Sequence, residues 1–128
     1  MSLRALIVDD NLEFLATARH LLERQGIEVV GVASTGAEAV RCSDEENPDV
    51  VLVDVNLGEE SGFDLADRLN AATVRRPVVL ISTHSEQDLQ DLLETSSAIG
   101  FVSKLQLSAQ AIIKVLDDSD VDDSTPPS

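Results

Sequence analysis

Short apolar runs alternate with amphipathic segments along this chain. Ala5-Leu6-Ile7-Val8, Val50-Val51-Leu52-Val53, Val78-Val79-Leu80-Ile81 and Ile99-Gly100-Phe101-Val102 are nearly continuous in apolar character. Strands buried on both faces read this way, as in a parallel sheet covered by helices. A weaker run, Ile27 to Val32, predicts a fifth strand. The segments between carry helical spacing. Leu12, Leu15, Ala18 (or Ala16) and Leu22 recur at helical spacing over Leu12–Gln25, a helix that Gly26 stops in the left-handed cap position. Shorter helices are predicted over Ala37–Cys42 and Phe63–Ala72. Another runs over Glu86–Thr95 with Ser85 as N-cap, and a last over Ala109–Leu116 with Ser108 as N-cap.

The order is strand then helix, repeated five times. Such a chain forms right-handed crossovers and a doubly wound parallel sheet. Ligands of these sheets bind beyond the carboxyl ends of the strands, near the reversal of strand order. Asp9, Asp10, Asp54, Ser82 and Lys104 all fall at or just after predicted strand ends. Residues 118–128 have no periodicity, are acidic and end Thr-Pro-Pro-Ser, so they read as a disordered tail or the start of a linker. The predicted domain is therefore residues 1–117.

Carboxylates held together repel unless a cation is present. Mg²⁺ suits them, because it takes a few hard oxygen ligands, retained waters and phosphoryl oxygens. A carboxylate beside that ion is a nucleophile toward phosphorus. The product would be an aspartyl phosphate, paired to a lysine and a hydroxyl such as Ser82. Taken singly, each residue has a plainer reading. An Asp after a strand commonly caps a helix or sits in a turn, and a lone lysine is commonly a surface residue. Their combination in this order favours the site.

Composition narrows the partners. The 128 residues suit one domain, and a hydrophobic fraction of 43% supplies a core. Aromatics are 2%, with no Trp or Tyr, which argues against base-stacking platforms. A net charge of -15 repels phosphate backbones and acidic lipids, so nucleic acid and membrane are not expected partners. Cys42 is the sole cysteine, expected as a small buried apolar group. No signal peptide or membrane span is read, and a soluble cytoplasmic protein is the default expectation.

At this point the sequence resembles the receiver domain of bacterial two-component response regulators, over roughly residues 4–117. The resemblance rests on Leu6-Ile7-Val8-Asp9-Asp10, on Pro48-Asp49-Val50-Val51-Leu52-Val53-Asp54-Val55-Asn56-Leu57, and on Gly62. Pro77-Val78-Val79-Leu80-Ile81-Ser82 and Gly100-Phe101-Val102-Ser103-Lys104 complete it. It implies a flavodoxin-like (βα)5 fold with a five-stranded parallel sheet in the order 2-1-3-4-5. It implies Asp54 as acceptor of a phosphoryl group from a sensor histidine kinase. It implies Mg²⁺ on Asp10, Asp54 and the Asn56 backbone carbonyl, with Asp9 acting through a water. Ser82 matches the switch hydroxyl, Lys104 the phosphate-pairing lysine and Phe101 an aromatic that turns inward on activation. Phosphorylation would then reshape the face made by the helix over 86–95, the strand over 99–102 and the last helix. An output domain or downstream protein would read that face, and homodimerisation through it is a further option.

The chain departs from the family in places. Leu105 stands where proline normally follows the lysine, and Gly58-Glu59-Glu60 replaces a loop that often holds proline. His84, two residues past Ser82, matches a position that tunes dephosphorylation; an exposed loop histidine is the alternative. His20 reads as a surface residue. Leu12 and Phe14 read as a kinase-docking patch or as core. Two other functions compete with the phosphorylated signalling receiver: a receiver-like binding module that works without phosphorylation, and an enzyme. Aspartyl-phosphate phosphatases need a second Asp two residues after the nucleophile, which Asp9-Asp10-Asn11 lacks. A flavin site would need a phosphate loop where this chain has an acidic pair. The chain is therefore expected to be a phosphoacceptor that at most promotes its own phosphorylation and dephosphorylation.

Overall fold

The computed structural model describes residues 3–57, 60–70, 77–82 and 98–124. Five strands form one parallel sheet: β1 (Arg4–Val8), β2 (Glu28–Ala33), β3 (Val50–Asp54), β6 (Val78–Ser82) and β7 (Gly100–Ser103). Their order is β2-β1-β3-β6-β7, the doubly wound order with its reversal between β1 and β3. The fold is flavodoxin-like. The four described helices are α1 (Leu12–Arg24), α2 (Gly36–Glu46), α3 (Gly62–Asn70) and α4 (Ala109–Ser124). The predicted helix over 86–95 and its Ser85 cap lie outside the described residues.

Alternate strand residues feed two cores. Ala5, Ile7, Val50, Leu52, Val79, Ile81 and Val102 pack with Leu15, Ala18 and Leu22 of α1 and Ala109 and Ile112 of α4. Leu6, Val8, Val51, Val53, Val78 and Leu80 pack with Ala39 of α2 and Leu65, Ala66 and Leu69 of α3. Both faces are covered, which is why the strands read as unbroken apolar runs rather than alternating ones. Each buried Leu, Ile or Val contributes roughly 1.5–3 kcal/mol of hydrophobic stabilisation. The aromatic-poor composition is thus no handicap, because branched aliphatic side chains fill both layers.

Helix ends follow local chemistry. Asn11 caps α1, its side-chain oxygen accepting from the amides of Glu13 and Phe14 at 3.0 and 3.2 Å. Gly26 follows the C-cap Gln25 with φ +93°, the left-handed position predicted for it. Ser108 accepts from the Ala111 amide at 3.0 Å, as predicted for the last helix. The Gln25 side chain accepts from the Ala109 amide at 2.6 Å and so ties the end of α1 to the start of α4.

Three local features differ from the sequence expectation. Helix α2 reaches Glu46, where Asn47 ends it with φ 50°. Helix α4 runs to Ser124, past Leu116 where the apolar pattern stops. No glycine or proline interrupts that stretch, and the first helix breakers are Pro126 and Pro127. A two-residue ladder pairs β4 (Asn56–Leu57) with β5 (Glu60–Ser61), antiparallel, directly after Asp54. Pairs this short leave no periodicity in a sequence. The described residues contain no cis peptide bond, so Leu105 follows Lys104 through a trans bond.

Candidate functional site

The site lies at the carboxyl edge of the sheet, where β1 and β3 end side by side and β7 ends one strand further on, beyond β6. Alternation carries Asp9 onto the same side as Ala5 and Ile7, and Asp54 onto that of Val50 and Leu52. Asp9 is fully buried and Asp54 nearly so. Asp10, the next residue after Asp9, is exposed. Single oxygens of Asp9, Asp10 and Asp54 all lie within 4.8 Å of one another.

Lys104 answers two of these carboxylates. Its ammonium is 2.6 Å from Asp9 Oδ2 and 3.3 Å from Asp54 Oδ2. The Asp9 contact is an ion pair without an aligned hydrogen bond, which leaves Oδ2 buried with acceptor capacity to spare. Asp9 Oδ1 accepts from the Asn11 amide at 2.8 Å. Asp54 Oδ1 accepts from the Asn56 amide at 3.2 Å. The two aspartates thus have matching arrangements: each turns one oxygen to a backbone amide two residues on and the other to Lys104.

The electrostatics follow from burial and crowding. Burial pushes the Asp54 carboxyl above its usual range, and the negative charge of Asp9 adds to this; the Asn56 amide and Lys104 oppose it. Burial works against the Lys104 ammonium, but the pairs with Asp9 and Asp54 outweigh it and hold its pKa above the usual lysine value. Three carboxylates are thus gathered beside one ammonium, which pairs with two of them. A hard divalent cation with oxygen ligands fits this donor set, since Asp10 faces solvent and Asp9 Oδ2 has spare acceptor capacity.

The remaining predicted residues surround this cluster. Ser82 is buried at the end of β6, one residue beyond Ile81, the ladder partner of Asp54. Its own partner across the ladder is Ser103, which precedes Lys104. Asn56 is exposed in β4, with its backbone directed by the short hairpin. Phe101 is half-buried against the core under α2 and α3, on the opposite side of the sheet from Lys104. His84 lies outside the described residues, as do Gly58 and Glu59. His20 is exposed, and Cys42 is half-buried against the core on the α2 side, where burial pushes its thiol pKa up.

Two residues matter more here than sequence reasoning allowed. A Cβ on Gly62 would strike the Asp54 carbonyl oxygen and lie 2.8 Å from Val55 Cα. Its amide also donates to the Val55 carbonyl at 2.8 Å, so the bare glycine lets α3 start against the backbone of Asp54. Phe14 is half-buried on α1, and Lys104 Nζ stands 4.5 Å from its ring centroid. Leu12, paired with Phe14 in the sequence reading, is 69% exposed and does not share that contact.

Known proteins resemble this chain in sequence and in fold. The chain is 31% identical over 103 residues to the response regulator UvrY of Escherichia coli, covering 80% of this chain and 47% of UvrY. It is 29% identical over 101 residues to the transcriptional regulatory protein PdtaR of Mycobacterium tuberculosis, covering 79% of this chain and 49% of PdtaR. The chain thus spans about half the length of these curated relatives. The signal receiver domain of NarL from Mycobacterium tuberculosis superposes with a TM-score of 0.79 at 27% identity, covering 93% of this chain and 97% of that one. The sequence model of the response regulator receiver domain matches residues 5–117, nearly the whole sheet and its helices, and the chain belongs to that family.

Proposed function

We propose that this domain accepts a phosphoryl group from a sensor histidine kinase on a carboxylate oxygen of Asp54. Receiver domains serve phosphorylation-dependent signalling and are in general phosphoacceptors rather than enzymes of turnover. The observation that carries the finer reading is the Lys104 ammonium bridging Asp9 and Asp54 beside a third carboxylate. In the transfer, an Asp54 oxygen forms a bond to phosphorus while the bond from phosphorus to the donor nitrogen breaks, and the imidazole leaves. Burial makes the Asp54 carboxylate more basic, which favours its attack.

Asp10, Asp54 and the Asn56 carbonyl would hold Mg²⁺, with Asp9 acting through a water. When bound, the ion neutralises charge on the phosphoryl oxygens. Lys104 pairs with one phosphoryl oxygen, and the Ser82 hydroxyl donates to another. Ser82 ends β6 and Lys104 directly follows β7, so their movement pulls the segments that follow these strands. Phe101 follows inward, and the face made by β7 and α4 changes what it binds. His84 tunes the water that reverses the reaction. The output lies in a following domain or a separate cytoplasmic protein, with homodimerisation through the same face as one route.

Incubation with acetyl phosphate and Mg²⁺ tests the acceptor. Intact mass should rise by one phosphoryl group in the wild type and stay unchanged in Asp54→Asn. A folded wild type that gains no mass would leave a receiver-like binding module that acts without phosphorylation.

A further inference from the structure

Lys104 is gripped from two sides. Asp9 and Asp54 hold its ammonium from the sheet edge, and the face of Phe14 lies 4.5 Å away on α1. Phe14 is itself fixed. It sits in the first turn of α1, where the Asn11 side chain accepts its amide at 3.2 Å. The Asn11 amide donates to Asp9 at 2.8 Å, and Asp9 meets Lys104 at 2.6 Å. The contacts thus close a ring: Lys104 to Asp9, Asp9 to Asn11, Asn11 to the first turn of α1, and Phe14 back to Lys104.

The backbone around Lys104 offers less restraint. Lys104–Gln106 forms a single turn of 3₁₀ helix, held by the Ser103 hydroxyl accepting from the Leu105 amide at 3.2 Å. The Leu105 side chain is 87% exposed. A lysine has four side-chain torsions, and ordering it costs about 1.5–2 kcal/mol. An aromatic face 4.5 Å from the ammonium narrows the positions it can take beside Asp9 and Asp54.

We infer that Phe14 is a positioning residue. Through a cation–π contact it keeps the Lys104 ammonium over the acceptor, in place to meet an incoming phosphoryl group. This rests on the proposed role of Asp54. A cation–π contact at a partly desolvated site is favourable enough that its loss should cost roughly three- to tenfold in affinity for a phosphoryl mimic. The contact depends on a ring face and not on apolar volume. Leu at this position would fill space without attracting the ammonium, whereas Trp or Tyr would restore the attraction.

The experiment has two readouts on the full chain. In metal-free protein, NMR of the Lys104 ε-methylene should show an upfield ring-current shift that is lost in Phe14→Leu and kept in Phe14→Trp. In parallel, beryllofluoride binding with Mg²⁺ should weaken roughly three- to tenfold in Phe14→Leu and recover in Phe14→Trp. Circular dichroism and thermal melts confirm that each variant is folded, and fluorinated phenylalanines at position 14 provide a graded series that leaves shape nearly constant. Wild-type binding with an unchanged affinity in Phe14→Leu, or no ring-current shift in the wild type, overturns this assignment alone. No beryllofluoride binding by the wild type overturns the acceptor reading and this assignment with it.

Discussion

Replacing Lys104 with Met tests the electrostatic account of the site, because Met keeps the length of the side chain and removes its charge. The wild-type ammonium lies 2.6 Å from Asp9 and 3.3 Å from Asp54. At an effective dielectric of about 20 these pairs amount to roughly 6 and 5 kcal/mol of gross attraction. Desolvation of the three groups offsets much of that. Removing one partner of a buried pair nonetheless costs about 3–5 kcal/mol, since the charge left behind stays buried. The site opens to solvent beside Asp10, so the lower end applies, and some contact with Phe14 survives through the Met sulfur. A loss of about 3 kcal/mol corresponds to a fall in Tm of roughly 10 °C for a domain of this size.

The deficit should depend on pH in a defined direction. A carboxylate whose pKa is raised on folding stabilises the fold while protonated, below its ordinary value of 3.8, and loses that contribution as pH rises through the folded pKa. Without Lys104 the raised pKa of Asp54 rises further, so the gap between variant and wild type is widest near neutrality and narrows on acidification. The lysine pKa is also raised, so its contribution holds below the ordinary 10.5 and fades as pH climbs through the folded value. The gap should therefore narrow at strongly alkaline pH as well. Thermal melts in low salt from pH 4 into the strongly alkaline range, with Mg²⁺ added in a parallel series near neutrality, measure both effects. Mg²⁺ should restore more Tm to Lys104→Met than it adds to the wild type, because it replaces the missing counter-charge. Equal Tm values for the two proteins at pH 7, or a gap that widens on acidification, would refute the reasoning.

Three further substitutions probe the surroundings. Gly62→Ala places a methyl group against the Asp54 carbonyl and 2.8 Å from Val55 Cα, where only backbone can yield; a cost of about 1–3 kcal/mol is expected from denaturant melts, together with weaker beryllofluoride binding. Asp54→Asn removes one of two apposed carboxylates while leaving Asp9 to pair with Lys104; Tm without metal should rise by a few degrees near neutral pH, even though phosphorylation is abolished. Asn11→Ala leaves the Glu13 and Phe14 amides without their side-chain acceptor; the loss should be about 1 kcal/mol by chemical denaturation, with faster hydrogen exchange in the first turn of α1.

The sheet was readable because its strands are buried on both faces. Leu6 and Ile7 point to opposite cores, so neither needs to be polar, and the same holds for Leu52 and Val53. The helix over Leu12–Arg24 declared itself through Leu15, Ala18 and Leu22, and Gly26 marked its end. Helix α4 was read short because its apolar stripe ends at Leu116 while the backbone continues to Ser124. Periodicity reports which residues pack, not how far a helix extends past its contacts. The role of Phe14 escaped for another reason. Its partner Lys104 is distant in sequence, and an aromatic near the start of an amphipathic helix reads equally well as core.

Strand alternation held one further signal. Counting by twos from Ala5 and Ile7 reaches Asp9, from Val50 and Leu52 reaches Asp54, and from Val102 reaches Lys104. All three carry the parity of the core under α1 and α4, which explains why their side chains meet and why α1 can offer an aromatic face to the lysine. Ser82 instead carries the parity of Val78 and Leu80, and Phe101 packs with them on the side of α2 and α3. A phosphoryl group accepted by Asp54, as proposed, would stand at the edge between two layers, with Lys104 on one side and Ser82 on the other. Movement of the lysine alone would disturb only the α1 and α4 side. On that proposal the two sides would be coupled through the ladder pair Ser82 and Ser103, where the strand carrying the hydroxyl is bonded to the strand that leads to the lysine.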